Sequence, residues 1–308
     1  AHEKTRWLGM NWIKGIVHEI AKWGEFVKIS HTVFALPFAL ASMLVAAKEN
    51  RGWPGWRLFL LILGAMVTAR TCAMTFNRIV DRHFDKLNPR TANRPLPAGS
   101  ISLLSAKVLL AVSGAAFIFI AYHINTICFY LSPIALFVVC FYSLTKRFTD
   151  YTHVYLGLAL GLAPIGAWLA VSESMSISPI LLTIAVVFWL IGFDIIYAMQ
   201  DHEFDKKHGL HSVVVGWGIK NALQGAFLSH MIMWGILAIF GFIQSFRLAY
   251  ITGLSLILIA LVMEHWLARK RSLKWINYSF FRLNAMISLI FLIVTALEVI
   301  FPFWRFRV

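Results

Sequence analysis

Residues 77–97 read NRIVDRHFDKLNPRTANRPLP and form a strongly polar stretch in a chain that is mostly apolar. Asn77, Asp81 and Asp85 recur every four residues, so on a helix their side chains stack along one face. Such a row of hard oxygen atoms suits Mg²⁺. The same stretch also carries guanidinium groups, which suit a phosphate or diphosphate. They belong to Arg78, Arg82, Arg90 and Arg94.

The pattern occurs a second time in the chain. Residues 81–86 read DRHFDK and residues 201–206 read DHEFDK, so both fit D-x-x-F-D-K. Each half of the chain therefore has its own aspartate pair. The chain holds only 14 acidic residues, and several of them lie in or beside these two stretches. They are Asp81, Asp85, Asp194, Asp201, Glu203 and Asp205. This concentration predicts that the two stretches are functional.

The composition is that of an integral membrane protein. Of the 308 residues 59% are hydrophobic, mean hydropathy is +0.74, and 14% are charged, against about 25% in soluble domains. We expect one polytopic domain, residues 1–308. The net charge of +14 raises the possibility of nucleic-acid binding. We reject it, because the basic residues lie between apolar spans, where they set orientation in the bilayer.

Apolar runs of about 20 residues predict nine transmembrane helices. They are 26–47, 57–80, 103–123, 125–145, 153–172, 178–199, 219–243, 247–268 and 284–303. Residues 1–24 lack a continuous apolar core, so no cleavable signal peptide is expected. Their apolar and charged residues alternate in a way that predicts a helix lying in the membrane interface. The three cysteines, Cys72, Cys128 and Cys140, fall in apolar spans and are expected to be packing residues.

Basic residues predict the orientation of the chain. Most of the 28 Lys and Arg residues fall on the side that holds the N-terminus and both aspartate motifs, which places that side in the cytoplasm. The opposite side holds Lys48, Arg51, Arg57, Arg247, Arg305 and Arg307. The protein is expected to be a multi-pass protein of the inner (cytoplasmic) membrane. Four spans separate the two motifs, so they lie on the same side and could converge on one site.

Some polar residues are predicted to lie deeper. Arg70 and Asp194 each precede the first residue of a motif by seven positions, two helical turns or about 10 Å. A charge within a span is costly and usually faces a cavity or a partner. Arg70 and Asp194 could instead pair with each other or cap a backbone. Tyr142 and Lys146, spaced i and i+4, either anchor the chain at the interface or face the same cavity as the aspartates.

Two acidic pairs, several cations and an apolar interior indicate the kind of substrate. It should combine a polyanionic, metal-binding head with a tail that prefers lipid, and a polyprenyl diphosphate fits. Mg²⁺ between the carboxylates and the diphosphate neutralises the leaving group, so that the allylic C–O bond can ionise. A dry cavity protects the carbocation from water. The acceptor must be a good nucleophile, such as an electron-rich aromatic ring.

Over nearly its whole length the sequence resembles the UbiA superfamily of intramembrane aromatic prenyltransferases. The resemblance rests on HTVFALPFALAS, NRIVDRHFD with RTANRPLPAG, YSLTKRFT and DIIYAMQDHEFDKKHGLHS. It implies an all-α membrane fold of nine transmembrane helices around a central cavity. Cytoplasmic loops 2–3 and 6–7, numbered by the helices they join, would cap the cavity. It also implies Mg²⁺-dependent transfer of a prenyl group to an aromatic ring in quinone biosynthesis.

The resemblance also implies residue roles. The residues that would bind Mg²⁺ and its diphosphate are Asn77, Asp81 and Asp85 on one face and Asp201 and Asp205 on the other. The residues that would contact the diphosphate are Arg82, Arg94 and Lys146. Arg147 or Arg70 would hold an acceptor carboxylate. Tyr142, Asp194 and Tyr197 would line the cavity, with Asp194 orienting or deprotonating the acceptor hydroxyl.

Two aromatic acceptors stay open. YSLTKRFT and YAMQD resemble the 4-hydroxybenzoate polyprenyltransferases of ubiquinone synthesis. GFDIIYAMQDHEFDKKHGLHS also resembles the branch attached to the futalosine route to menaquinone, whose acceptor would be a dihydroxynaphthoate. Both acceptors are hydroxylated aromatic carboxylates, so the motifs do not separate them.

Two other classes of membrane protein fit the sequence less well. A CDP-alcohol phosphotransferase needs D-G and A-R elements at a spacing that this chain lacks. Such an enzyme has a single Asp-rich helix pair, whereas this chain duplicates its aspartate motif. A secondary transporter places its ionisable residues near the bilayer midplane, on broken helices. Here both aspartate pairs lie at span ends, which favours the enzyme.

Overall fold

The computed structural model describes residues 15–28, 32–270 and 272–301, and within these residues it is helical with no strands. The helices are α1 (15–26), α2 (Thr32–Ala46), α3 (Trp56–Leu87), α4 (Leu103–Ile124), α5 (Thr126–Thr145), α6 (Thr152–Ser172), α7 (Ile177–Ala198), α8 (His202–Lys207), α9 (Val213–Ile243), α10 (Leu248–Ala268), α11 (Leu273–Tyr278) and α12 (Asn284–Ile300). Short 3₁₀ turns cover Lys48–Asn50 and Met199–Asp201, and a π-helical turn covers Ser279–Leu283.

Eight helical segments of the described chain are long and apolar enough to cross a membrane. They are α3, α4, α5, α6, the continuous run Ile177–Lys207, α9, α10 and the run Trp275–Ile300. The protein is therefore an integral membrane protein. The predicted first span, 26–47, corresponds to α2, whose 15 residues are apolar but shorter than a span. Residues 29–31 and most of the predicted interfacial segment 1–24 lie outside the described residues.

Helix α3 extends seven residues beyond the predicted end at residue 80. The first motif is therefore part of a continuous 32-residue helix and does not lie in loop 2–3. The helix ends before Pro89, because a residue that precedes proline is disfavoured in the α conformation. Asn88 is accordingly extended, with φ −85° and ψ 118°. Helix α9 likewise begins earlier than predicted, at Val213, and Gly218 interrupts it with φ 76°.

The hydrophobic core joins α2, α7, α9, α10 and α12. Its largest fully buried side chain is Trp189 of α7, which contacts Phe38 of α2 with ring centroids 5.0 Å apart. Phe38 also stacks on Phe291 of α12 at 4.7 Å. Burying a large aromatic side chain stabilises a fold by about 1.5–3 kcal/mol in water. In lipid the corresponding stabilisation comes from van der Waals packing between the helices. One face of α7 is thereby held against this core.

Close backbone packing fixes α6 against the other side of α7. A Cβ atom added at Gly157 would lie 2.9 Å from the backbone oxygen of Val187, and one added at Gly161 would lie 3.1 Å from Cγ2 of Thr183. The hydroxyl of Thr183 donates to the carbonyl of Gly161 at 2.8 Å. Small residues let membrane helices approach in this way. The helices that carry His153 and Asp194 therefore stand at a fixed separation.

A buried polar network also ties α7 to α9, α10 and α12. The indole of Trp189 donates to Asn284 at 2.7 Å, and the amide of Asn284 donates to Glu264 at 2.7 Å. His230 lies 3.1 Å from the backbone oxygen of Trp189 and 2.9 Å from the ring of His265. Hydrogen bonds between helices stabilise membrane bundles by roughly 0.6–2 kcal/mol each. The network therefore helps to place α7, which leads directly into the second aspartate motif.

Candidate active site

One cavity of about 550 Å³ is lined by both aspartate motifs. Asn77, Asp81 and Asp85 reach it from the last turns of α3, whereas Asp201 reaches it from the 3₁₀ turn after α7 and Asp205 from α8. The sequence repeat predicted this convergence. Asp85, Asp201 and Asp205 are buried, and the side chain of Asp81 keeps a quarter of its surface exposed.

The aspartates of the first motif pair with arginines from other parts of the chain. Arg147, just after α5, places Nη2 2.9 Å from Oδ1 of Asp81. Arg94, in the loop after α3, places Nη1 2.7 Å from Oδ1 of Asp85. The buried Arg78 lies 3.9 Å from the second oxygen of Asp85. Each carboxylate of this motif therefore faces a guanidinium group.

The second motif has a different set of partners. Arg90 donates twice to Asp201, with Nε 2.9 Å from Oδ1, and Asn88 donates to the same oxygen at 3.0 Å. Lys146 lies 3.2 Å from Oδ2 of Asp205. The backbone N–H of His211 donates to the carbonyl of Lys146 at 2.8 Å, which ties the loop between α8 and α9 to the end of α5.

Loop 2–3, residues 88–102, connects the two motifs. Arg90 reaches across to Asp201, while Arg94, four residues later, turns back to Asp85. Arg90 also donates to the hydroxyl of Tyr197 at 3.1 Å and lies over its ring at 5.4 Å. Bidentate arginine–carboxylate pairs are among the strongest charge-assisted hydrogen bonds. This loop therefore holds the two motifs together at the polar end of the cavity.

Electrostatic coupling is visible in the pKa values of the cations at this end. Burial lowers the pKa of Lys146, but the neighbouring carboxylates of Asp205, Asp201 and Asp194 outweigh it and leave that pKa raised. Burial likewise opposes the charge of Arg90, and its hydrogen bonds to Asp201 leave its pKa raised. Lys28 shows the opposite result, because burial and the charge of Arg78 lower its pKa. The ion-paired cations therefore stay charged at neutral pH.

Two ionisable residues lie deeper in the cavity and do not pair with each other. Arg70 donates from Nη2 to the backbone oxygen of Lys28 at 3.2 Å, and its buried Nε has no hydrogen-bond partner among the described residues. Asp194 lies 2.6 Å, Oδ2 to Nδ1, from His153 of α6. Arg70 and Asp194 therefore do not pair with each other, whereas the contact of Arg70 with a backbone carbonyl agrees with the other half of that alternative. Tyr142 lies in the same cavity, together with Lys146.

Below these groups the wall of the cavity is apolar. It is built from α3, α4, α5 and α6. Its side chains include Ile62, Met66, Phe117, Ile124, Leu131 and Leu160. The cavity thus combines a charged end with an apolar remainder, which suits an amphipathic ligand.

Comparison with known proteins identifies the family. The UbiA prenyltransferase family matches residues 35–290. The chain belongs to this family. A protein of Tolumonas auensis named 4-hydroxybenzoate octaprenyltransferase is 30% identical over 222 residues, which cover 72% of this chain and 77% of that protein. The predicted class of enzyme, a prenyltransferase, is thereby confirmed, and the transporter and phosphotransferase alternatives are set aside.

Solved structures give the same result for the fold. The apo structure of a UbiA homologue from Aeropyrum pernix K1 has a TM-score of 0.76 at 31% identity, over 85% of this chain and 95% of that chain. A UbiA homologue from Archaeoglobus fulgidus bound to GPP and Mg²⁺ has a TM-score of 0.69 at 23% identity, over 89% of this chain and 99% of that chain. The predicted all-α membrane fold is confirmed.

The arginines of this UbiA chain lie in different positions from those that the resemblance implied. Arg82 does not line the cavity, and its guanidinium donates to the backbone oxygen of Ile79 at 3.0 Å. Arg78 and Arg90 line the cavity instead. The seven-residue spacing of Arg78 and Asp85, two helical turns, was a signal for the first of these. The sequence places Arg90 among the guanidinium groups of the first stretch, but no local signal indicates its pairing with Asp201, because that partner lies in the other half of the chain.

His153 and Asn88 were also missed. A single histidine at the start of an apolar helix has no motif around it, and only the packing of α6 on α7 brings His153 to Asp194. Asn88 lies outside the four-residue spacing of the first motif. Its contact with Asp201 depends on the extended conformation that precedes Pro89.

The donor set of this UbiA site fits Mg²⁺ when a diphosphate is present. Among the described residues no three His, Cys, Asp or Glu side chains lie close enough together to hold a metal ion by themselves. The cations described above lie against each of the four carboxylates. Mg²⁺ in proteins commonly takes one or two carboxylates and completes its coordination with substrate phosphates and water. Carboxylates on two sides of a shared space match that mode.

Proposed function

We propose that this enzyme transfers a polyprenyl group from a polyprenyl diphosphate to the ring of a hydroxylated aromatic carboxylate, 4-hydroxybenzoate, in an Mg²⁺-dependent reaction. The proposal rests on one observation: carboxylates from both motifs meet at one end of a cavity that is otherwise apolar. The charged end suits the metal-bound diphosphate and the apolar walls suit the prenyl chain. The name of the Tolumonas relative supports the acceptor, and the GPP and Mg²⁺ bound to the Archaeoglobus homologue support the donor and the metal.

Binding of the diphosphate exchanges one set of ion pairs for another. In the structure the four carboxylates are neutralised by Arg147, Arg94, Arg90 and Lys146. These cations are the groups that would turn to the diphosphate oxygens, which leaves the carboxylates free to hold the metal. Mg²⁺ bound there supplies positive charge that stabilises the leaving diphosphate. The exchange keeps buried charges paired before and after binding, which limits the cost of desolvation.

The acceptor is placed deeper in the cavity. Asp194 precedes Asp201 by seven residues on α7 and its continuation, a rise of about 10 Å. That distance accommodates a diphosphate, the reacting prenyl carbon and one aromatic ring. Asp194 orients the acceptor hydroxyl. Arg70 is the better partner for the acceptor carboxylate, because Arg147 already donates to Ser143, Val80 and Asp81, whereas Nε of Arg70 has no partner among the described residues.

The reaction is an aromatic substitution. The C–O bond between the prenyl group and the diphosphate breaks, and its electron pair leaves with the diphosphate. A ring carbon next to the hydroxyl donates an electron pair to the allylic carbon, which forms the new C–C bond. The proton on that ring carbon then leaves and aromaticity returns. The apolar walls keep water away from the allylic carbon, which would otherwise be hydrolysed.

The charged end of the cavity is proposed to face the cytoplasm. The loops next to it, and α1, lie on the side where most Lys and Arg residues fall. The positive-inside rule assigns that side to the cytoplasm of the inner membrane. Water-soluble acceptor and diphosphate product would then enter and leave on the side where they are made and used.

The test is a transfer assay with purified protein in detergent. Mg²⁺ and a polyprenyl diphosphate are offered with 4-hydroxybenzoate and, in parallel, with 1,4-dihydroxy-6-naphthoate, and EDTA serves as the control. We expect prenylated 4-hydroxybenzoate, and none with EDTA. Product from the naphthoate alone would move the acceptor to menaquinone synthesis. Product that persists in EDTA would contradict the metal requirement.

A further inference from the structure

His153 and Asp194 form a pair at the deeper end of the cavity. His153 is 1% exposed at its side chain, and its Nδ1 lies 2.6 Å from Oδ2 of Asp194. The side chain of Asp194 keeps 22% of its surface exposed, and both residues line the cavity. Oδ2 is therefore engaged by the imidazole, while the rest of the carboxylate is open to a ligand.

The second ring nitrogen of His153 identifies the tautomer. Nε2 is buried and has no hydrogen-bond partner among the described residues. A proton on Nε2 would be buried without an acceptor, which costs about 1–3 kcal/mol or more. An ionised carboxylate only accepts hydrogen bonds, so Nδ1 is the nitrogen that carries the proton. His153 thus donates from Nδ1 to Asp194.

The position of the imidazole is set by the packing of its helix. The adjacent Thr152 is buried, and its hydroxyl lies 2.7 Å from that of Thr145, at the end of α5. One helical turn further on, Gly157 packs against the backbone of Val187 on α7. His153 therefore approaches Asp194 from a helix whose distance from α7 is fixed. Such support is what a precisely placed functional group needs.

We propose that His153 is a positioning residue, which orients Asp194 through Oδ2 so that Oδ1 accepts the proton of the acceptor hydroxyl. This inference rests on the proposed function. The O–H bond breaks, the proton passes to Oδ1, and the electron pair left on oxygen raises the nucleophilicity of the ring. The new C–C bond forms as the diphosphate leaves. The ring C–H proton then passes to the departing diphosphate, and Asp194 returns its proton to the oxygen.

Two substitutions separate the donor from the bulk of the side chain. His153→Asn keeps an N–H donor close to the position of Nδ1, whereas His153→Phe keeps a ring of similar size without a donor. We expect His153→Phe to lower kcat by roughly ten- to a hundredfold, less than the loss of a general base itself. His153→Asn is expected to retain most of the wild-type kcat. In both variants KM for the prenyl diphosphate should stay near the wild-type value.

A more acidic acceptor distinguishes proton transfer from a structural role. In 3-fluoro-4-hydroxybenzoate the fluorine makes the phenol more acidic and leaves one position next to the hydroxyl free to react. The defect of His153→Phe should shrink with this acceptor, because less help is needed to remove the proton. With 4-hydroxybenzoate, Asp194→Asn should lower kcat more than His153→Phe does. With the fluorinated acceptor, its kcat should recover in part, as that of His153→Phe does. Equal losses with both acceptors, or an Asn variant as poor as the Phe variant, would overturn the proposal.

The controls separate failure of the inference from failure of the proposed function. His123→Asn alters an exposed histidine in the α4–α5 hairpin, at the opposite end of α4 from loop 2–3, and should leave kcat unchanged. Mg²⁺-dependent binding of a prenyl diphosphate, measured by calorimetry, checks that each variant is folded. If His153→Phe does not bind it, the kcat of His153→Asn on the two acceptors decides, because this variant keeps the donor and should retain most of the wild-type kcat. Wild-type protein that prenylates neither acceptor would refute the proposed function, whereas active wild type with an unaffected His153→Phe would refute only this inference.

Discussion

The two copies of D-x-x-F-D-K have the same sequence pattern and different local structures. The first copy is the end of a continuous 32-residue helix, with Arg78, also of α3, buried beside Asp85. The second copy is split between a 3₁₀ turn that holds Asp201 and a six-residue helix that holds Asp205. A repeat in sequence is therefore not a repeat in backbone conformation.

The difference lies in where each motif obtains its support. The first is held by its own helix, whose backbone hydrogen bonds fix the spacing of its carboxylates. Carboxylates of both motifs pair with cations from elsewhere in the chain, but only the second motif is divided between a 3₁₀ turn and a six-residue helix, so that Arg90 and Asn88 of loop 2–3 and Lys146 also contribute to its placement. We infer that the first motif is a fixed platform and the second is held in place by the loop.

Loss of a carboxylate from the fixed platform should have the largest effect. Asp81→Asn removes a charge that faces the proposed diphosphate site without removing packing, so we expect kcat to fall by about 10²-fold or more. Elution of the variant as a single species in gel filtration would show that the bundle is intact. Near-normal turnover by a folded Asp81→Asn enzyme would contradict the metal assignment.

The contacts of loop 2–3 provide the next test. Arg90→Gln breaks the bidentate pair with Asp201 and leaves a buried carboxylate without its arginine. Removing one partner of a buried ion pair lowers the stability of the fold by about 3 kcal/mol or more. We expect a raised KM for the prenyl diphosphate and a lower kcat. Arg82→Gln, on the same helix as the platform but outside the cavity lining, should have a much smaller effect. Steady-state kinetics of both variants checks this, and a larger loss in Arg82→Gln would restore the role that the resemblance implied.

Much of this arrangement could be predicted from the sequence, and the reason is local periodicity. The four-residue spacing of Asn77, Asp81 and Asp85 indicates one helical face, and the duplication indicates a shared site. The partners of the carboxylates could not be predicted in the same way. The pairs of Arg90 with Asp201 and of His153 with Asp194 join residues distant in the chain, and only helix packing brings them together. Arg82 lies outside the cavity lining in the structure, and the sequence pattern did not show this because it does not indicate which side of a helix end faces inward.

Lys146 is expected to give a moderate effect on substrate binding. Its ion pair with Asp205 belongs to the second motif, and the surrounding carboxylates raise its pKa despite burial, so it is charged below and through neutral pH. Lys146→Glu should raise KM for the prenyl diphosphate more than KM for the aromatic acceptor. Both constants can be measured in one assay by varying each substrate in turn. The reverse order would reassign Lys146 to the acceptor.

The smallest expected effect concerns the placement of α7, from which the second motif continues. Asn284→Ala removes the amide that joins Trp189 to Glu264 and leaves both polar groups buried without that partner. We expect a loss of stability of about 1 kcal/mol, seen as a lower midpoint of thermal unfolding in detergent. Asn221→Ala, an exposed asparagine on α9 whose side chain donates only to the carbonyl of Trp217 one turn away, is the matched control. If α7 positions the second motif, Asn284→Ala should also raise KM for the prenyl diphosphate. A change in the thermal midpoint alone would mean that the network only stabilises the bundle, and that loop 2–3 supports the second motif.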